Sequence, residues 1–486
     1  MSGSTDTQRG WEAGGAGTTK ARRKAAAAAP VKSVRKERVK TQHTNKPVSK
    51  AGDRLLLGWR LDETKQQVGF RQGEPAPVTA DHPLWLQGEG HMITIAPTGT
   101  GKGRSALIPN LLTYEGPAII IDPKGEAYRV TARRRREMGQ KVHVIDPFGL
   151  VTKNTDSLNP MDAFAIPGVD ASALALDIAK QLSGGGKIGK EPFWDIRGHD
   201  LAAGAIAAIA AIREPKDCNL IEVRRLLKRD DVIYNLHALI EASGTKIPSF
   251  AADEISSFLG TTDVTRSGIL ATTCSYFSVI ASDAAQRTVV RSTIDLAAVR
   301  RGDPMTIYLV VPPTKLASHA SLFRLWTAAL MSAVLSRETS LPKYRTLFAI
   351  DECAQLGDFG QLSVVYTLAR SYGVRVWTFF QDLAQIQKML PDEWPTVLTN
   401  TAALQVFGVP NYLAGAALAN VLGDFSEQEL RQMDRRLFAL QVAGRLGITA
   451  RRIDYLKDPA FQGLFDRHPM LGRRSLDEPD SPLSGI

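Results

Sequence analysis

Cysteine is scarce in this 486-residue chain: Cys218, Cys274 and Cys353 are the only three, and they stand far apart. Their spacing excludes a disulfide framework and a cysteine-based metal site, and it points to a reducing compartment. Long apolar runs are missing too. The longest, Leu201 to Ile212, is mostly alanine and too short to cross a bilayer, so it reads as a buried helix. The basic N-terminus is not followed by an apolar core, which argues against a signal peptide. The expectation is a cytoplasmic protein, or one peripheral to the inner face of the membrane, with no integral membrane segment.

Net charge is nearly absent outside one stretch. Residues 1–50 hold twelve Lys/Arg against three acids, so they carry +9 of the net +10, and the other 436 residues carry +1. The basic pI describes this tail and not a basic globular surface. The tail has almost no large apolar side chains and cannot bury a core, so residues 1–52 are expected to be disordered. Such a tail suits DNA or an acidic membrane surface, or it merely solubilises the chain. The remainder, in a chain 44% hydrophobic and 23% charged, fits globular structure of about two or three domains.

Short apolar runs recur between helical stretches. Met92 to Ile95, Ala118 to Ile121 and Val142 to Ile145 read as strands, the last two ending in Asp122-Pro and Asp146-Pro. Strands alternating with helices predict an α/β fold with a mainly parallel central sheet, and strand-end acids are expected to face the ligand crevice. Arg133 to Arg136 spread around a helix and read as a solvated surface. Pro109 sits inside the helix after the first strand and predicts a kink or an early end there. Over residues 169–282 the pattern turns all-helical, including Ala171 to Leu182 and Leu220 to Leu227. The Gly-rich run from Ser183 follows a helix and reads as a connection. The α/β pattern returns with Thr306 to Val311, a long helix from Ser318, then Leu347 to Ile350, Val374 to Phe379, Ala403 to Val409 and Phe438 to Val442. The boundaries are thus 53–168 and 283–466 for the α/β parts, 169–282 for an all-α insertion, and 467–486 for a polar tail.

The first strand runs into a glycine-rich loop, Ala96, Pro97, Thr98, Gly99, Thr100, Gly101, Lys102, Gly103 and Arg104, before a helix. That order is the geometry of a phosphate-binding loop. Backbone N–H groups converge on phosphate, the helix dipole favours the anion, and the lysine reaches the terminal phosphate. The pattern departs from Gly-x-x-x-x-Gly-Lys-Ser/Thr at Ala96 and at Gly103. The second departure removes the hydroxyl that usually binds magnesium, leaving water or Ser105 as substitutes. An ordinary glycine-rich turn is the plainer alternative.

The second anchor is Leu347-Phe348-Ala349-Ile350-Asp351-Glu352. A strand end there presents Asp351 to the Mg2+ shell and Glu352 to an attacking water. Arg370, just before the next strand, is a candidate finger for a neighbouring subunit, or a surface salt bridge. Gln381, ending that strand, is a candidate sensor of the terminal phosphate, or a strand cap.

These motifs stand in a familiar order. The runs A-P-T-G-T-G-K-G…I-P-N-L-L, I-I-I-D-P-K-G-E and V-I-D-P-F come first, followed by Leu158-Asn159-Pro160 and Phe193-Trp194. T-I-Y-L-V-V-P-P, F-A-I-D-E-C, F-F-Q-D and A-L-Q-V-A-G…I-D-Y-L-K-D-P complete the set. Over about Leu84 to Phe465 the chain resembles the TraG-type coupling ATPases of type IV secretion and conjugation. The resemblance implies a RecA-like nucleotide-binding domain interrupted by an all-α domain. It implies a homo-hexameric ring with ATP and Mg2+ between subunits. It also implies transport of single-stranded DNA, without sequence specificity, and its relaxase or relaxosome toward the secretion channel. Lys102, Asp351, Glu352, Arg370 and Gln381 match functional positions of that group, and similar members also carry Gly at the place of Gly103. Typical members begin with two transmembrane helices, whereas this chain begins with the basic tail. Docking through partners, a soluble branch or an altered chain would each account for that. A double-stranded DNA translocase without a secretion partner and a non-motor substrate adaptor are the competing expectations.

Overall fold

The computed structural model describes residues 51–61, 82–184, 192–337, 341–357, 359 and 361–468. Residues 1–50 of the basic tail, the glycines after Gly184 and all but 467 and 468 of the polar tail lie outside the described residues. Among the described residues, eleven strands form one sheet. They are β1 (Leu55–Arg60), β2 (His82–Leu86), β3 (His91–Ile95), β4 (Ala118–Ile121), β5 (Lys141–Ile145) and β6 (Met305–Leu309). The rest are β7 (Thr346–Ile350), β8 (Val374–Phe380), β9 (Thr401–Val406), β10 (Leu437–Val442) and β11 (Ile448–Arg451). Their order is β2-β1-β11-β10-β9-β3-β8-β7-β4-β6-β5. From β9 to β5 all neighbours run parallel. The four strands beyond β9 are antiparallel.

Period-two alternation explains the parallel part. Ile119 and Ile121 enter the core on one face of β4, while Ala118 and Ile120 enter the core on the other. With both faces covered, every residue of β3, β4, β6, β7 and β8 is buried. The larger core continues from the sheet into the helices between β5 and β6. No strand interrupts those helices among the described residues. Ala171–Leu182 and Leu220–Leu227 begin and end where the sequence pattern puts them, because Asp170 and Asn219 cap their N-termini.

The structure departs from the sequence reading at several places. β1, β2 and β11 were not expected. Gly58 makes β1 possible, since a Cβ there would lie 2.7 Å from the Phe438 ring. The helix after β6 starts at Pro313, not Ser318, because proline is compatible with the first helical turn, and its backbone breaks at His319. The irregularity expected from Pro109 is a single wide turn, Gly103–Leu107, in which the Ile108 N–H donates to Gly103 O. A regular helix, Ile108–Thr113, follows. Arg135 is not solvated. It is fully buried, and its guanidinium donates to Thr306 Oγ1 at 2.8 Å and Gly116 O at 2.7 Å, and to Tyr114 O. Burial lowers its pKa to about 10. The carbonyls at the end of helix Ile108–Thr113 need donors, and this side chain supplies them.

Asn110 joins that helix to β1. Its side chain accepts from the Leu56 N–H at 2.7 Å and donates to Leu56 O and Ala106 O, each at 2.9 Å. The outer edge of β5 is also tied down. The Val144 N–H donates to Asp156 Oδ2 at 2.9 Å, the Asp156 N–H to Val144 O at 2.8 Å, and the Asp146 N–H to Thr155 Oγ1 at 2.8 Å. At the opposite edge β2 contains Pro83, which has no N–H to offer.

Asn110→Leu leaves the Leu56 N–H and C=O buried without partners. It is expected to lower stability by about 2–4 kcal/mol, read as a shift of the urea midpoint at unchanged slope.

Candidate functional site

β8 lies between β3 and β7, and all three run parallel, so their carboxyl ends emerge side by side. Lys102 follows β3, Asp351 and Glu352 follow β7, and Gln381 follows β8. Lys102 Nζ sits 3.0 Å from Asp351 Oδ1 and 2.7 Å from Glu352 Oε1. Gln381 Nε2 donates to Glu352 Oε2 at 3.0 Å. Four of the residues proposed from sequence therefore meet in one cluster. Glu352 has φ +52°, the only positive φ outside glycine among the described residues. Its N–H donates to Asp351 Oδ1 at 3.0 Å. The left-handed backbone costs roughly 1–2 kcal/mol, and these contacts hold it in place.

The loop itself is open on one side and clamped on the other. Gly99 and Gly101 have φ +82° and +80°, and a Cβ on Gly99 would touch nothing within 4 Å. Thr100 turns its hydroxyl onto Pro97 O at 2.7 Å. Arg104 gives its guanidinium to Asp454 in a two-bond fork, which leaves its backbone as the part available to a ligand. Arg452 Nη1 donates to Thr100 O at 2.7 Å. Ser105, the substitute hydroxyl, is buried. A cavity of about 350 Å³ opens beside the loop, lined among others by Ile95, Pro97, Thr98, Gln381, Leu383 and Gly408.

Burial opposes the Lys102 charge, yet the two carboxylates outweigh it and hold the ammonium pKa above its usual value. Burial also opposes ionisation of Glu352, but Lys102 and Gln381 outweigh it and hold its pKa below the carboxylate range. Asp351 goes the other way. Burial is its largest influence and Glu352 adds to it, so its pKa is raised despite Lys102.

Sequence reasoning missed Lys124, whose Nζ lies 3.5 Å from Glu352 Oε1 and whose side chain is half exposed. The signal was its place in D-P-K-G-E after an apolar strand. It also missed the clamp by Arg452 and Asp454, whose partners stand hundreds of residues away. One expectation needs correction. Asp122 and Asp146 do not face the crevice. Asp122 accepts from the N–H groups of Glu126 and Tyr128, and Asp146 from those of Leu150, Val151 and Thr152. The turns that follow these strands bring backbone donors onto the carboxylates, as in an N-cap. Burial raises the Asp122 pKa to about 7, with backbone bonds opposing and Asp351 and Glu126 adding. Arg370 is not part of the cluster. It is exposed on the turn Ala369–Tyr372 before β8, at the other end of that strand from Gln381.

A family described as type IV secretory system conjugative DNA transfer matches residues 39–429. The chain belongs to that family. Among its relatives as a coupling protein, VirD4 of Bartonella quintana (strain Toulouse), a type IV secretion system-coupling protein, is 25% identical over 306 residues. That match covers 62% of this chain and 47% of the relative. Protein VirD4 of Rhizobium radiobacter is 26% identical over 453 residues, covering 82% of this chain and 62% of the relative. The chain spans about half the length of the curated relatives it matches. Among solved structures, the bacterial conjugative coupling protein TrwBdeltaN70, in its unbound monoclinic form, superposes with a TM-score of 0.58 at 16% identity. The match covers 74% of this chain and 84% of that one. The plasmid coupling protein TrwB in complex with ADP and Mg2+ gives a TM-score of 0.57, also at 16% identity, over 76% and 88%. The fold of this coupling protein is thus the TrwB-like, RecA-like P-loop fold. Among the described residues, no helix is long and apolar enough to cross a membrane.

Lys102→Met removes the cation between Asp351 and Glu352. The Asp351 pKa, already raised, then rises further, so the folded variant holds a proton that the unfolded chain releases. Its deficit relative to the parent is therefore smallest near pH 4 and grows as pH rises. About 3 kcal/mol is expected at pH 8, measured by urea unfolding at both pH values.

Proposed function

We propose that this chain is an ATPase that drives conjugative or type IV secretion transfer. In this reading it binds DNA with its attached relaxase and delivers them to the secretion channel, from the cytoplasmic side. The observation that carries the proposal is the cluster of Lys102, Asp351, Glu352 and Gln381 beneath an open glycine loop. Family membership supports the transfer role, and the TrwB complexes with ADP and Mg2+ and with a non-hydrolysable ATP analogue support the nucleotide.

The residues present suit a magnesium nucleotide. Asp351 and Glu352 offer hard oxygen donors, and Gly99 and Gly101 leave the loop backbone free for phosphate. No group of three or more acidic, histidine or cysteine ligands is preassembled among the described residues, which fits an ion that arrives with its phosphates. When bound, Mg2+ would neutralise charge on the phosphate oxygens. Lys102 leaves the carboxylates for the terminal phosphates. Glu352 thereby loses its nearest cation, becomes a stronger base and accepts a proton from the attacking water. Gln381 keeps Glu352 aimed through Oε2. Lys124, already close to Glu352, is a second cation for the phosphates. Arg370, remote from the cluster of its own chain, serves a neighbouring copy in a homo-hexameric ring closed by heterologous contacts. DNA contact is to phosphates and weakens with salt.

Glu352→Gln is expected to lower ATP turnover by about 100-fold or more while a fluorescent ATP analogue still binds. Lys102→Ala loses the binding. Turnover that survives Glu352→Gln would sink the motor reading. Arg370→Ala and Glu352→Gln, each inactive alone, are expected to recover part of the turnover when mixed, because mixed rings contain some intact shared sites. No recovery at any ratio would remove Arg370 from that role.

A further inference from the structure

Gly103 stands where a phosphate loop usually carries a hydroxyl, and a carboxylate approaches that place from the start of the helix that follows β4. A Cβ on residue 103 would lie 3.4 Å from Glu126 Oε1 and 3.9 Å from Oε2. A serine at 103 would project toward the Glu126 carboxylate. Three features hold Glu126 there. Gly125 has φ +65°, and a Cβ on it would meet Val151 Cγ1 at 2.2 Å, so the turn before Glu126 has one conformation and requires glycine. The Asp122 carboxylate accepts from the N–H of Glu126 at 3.1 Å and of Tyr128 at 2.9 Å. His468 Nε2 sits 2.9 Å from Glu126 Oε1. Asp122 ends β4, the neighbour of β7, and it feels the charges of both Asp351 and Glu126. The Glu126 side chain remains about one-third exposed.

We infer that Glu126 is a positioning residue for the magnesium ion of the bound nucleotide, taking the part of the hydroxyl that Gly103 lacks. The inference rests on the nucleotide reading of the loop. Magnesium keeps several waters and few direct protein ligands, so a carboxylate beside the loop can act through a water of its shell. A serine hydroxyl brings one neutral oxygen; Glu126 brings a negative charge and two acceptors, of which His468 occupies one. A purely structural role is the alternative: an acid in the first turn of helix Glu126–Glu137, favoured by the helix dipole and paired with His468. That role alters stability and leaves the magnesium requirement alone.

The test is the affinity of full-length protein for a fluorescent ADP analogue, measured against Mg2+ concentration and in EDTA. In Glu126→Gln, the Mg2+ needed for half of the affinity gain is expected to rise by about tenfold or more. Affinity in EDTA stays the same or improves, since a negative charge has left the phosphates' surroundings. Adding Gly103→Ser to Glu126→Gln is expected to bring the requirement back toward that of the parent. An unchanged Mg2+ requirement in Glu126→Gln overturns the inference, as does an equal weakening with and without Mg2+. Parent protein that binds no ADP under either condition overturns the nucleotide reading itself, which separates the two failures.

Discussion

Two adjacent carboxylates at the buried end of a strand repel each other and lose hydration, so a cation must stand between them for the arrangement to persist. Lys102 is that cation, and the strand order decides that it can be. With β8 inserted between β3 and β7, the loop and the acidic pair are two strand spacings apart, about 10 Å. An extended lysine side chain covers most of that span, and Gln381 closes the remainder from the middle strand. A direct β3–β7 pairing would crowd the site, and a third intervening strand would separate its halves. The sheet's topology is thus the means by which residues 102, 351, 352 and 381 meet.

The antiparallel wing has a matching task on the other side of the loop. β10, β11 and β1 bring the segment after β11 against the loop, where Asp454 holds Arg104 and Arg452 holds Thr100. That segment is itself fixed by Asp458, which accepts from Trp59 Nε1 at 2.8 Å and pairs with Arg451. Trp59 lies on β1 and Arg451 on β11, so the two ends of the described chain are joined behind the loop. The loop's backbone is therefore held from behind, while Gly99 faces open space and Gly103 faces Glu126.

What could be read from the sequence followed from how local each cause was. β3, β4 and β7 are short apolar runs because both their faces are covered, and a run of that kind is visible without any partner. The helices Ala171–Leu182 and Leu220–Leu227 announce themselves through their caps. β2 and β11 have mixed composition and short length, and they exist because β1 and β10 offer edges to pair with. Arg135 is one of four consecutive arginines, and nothing local distinguishes the one whose guanidinium turns inward to the carbonyls of another helix. Asp122, Asp146 and Asp351 all end apolar strands. After the first two, a turn delivers backbone N–H groups to the carboxylate. After Asp351 comes Glu352 in a left-handed conformation, whose N–H shares the acid with Lys102. Nothing local shows that the Arg104 guanidinium is held by Asp454, which is remote in sequence.

The tied-down strand at one margin and the proline at the other have a bearing on assembly. Val144 spends its outward hydrogen-bonding groups on Asp156, and β2 carries a residue without a donor. Both features disfavour a strand from another molecule extending the sheet. Copies of this chain that come together are then expected to meet through side-chain surfaces rather than through a continuous backbone ladder that would lock them in one register.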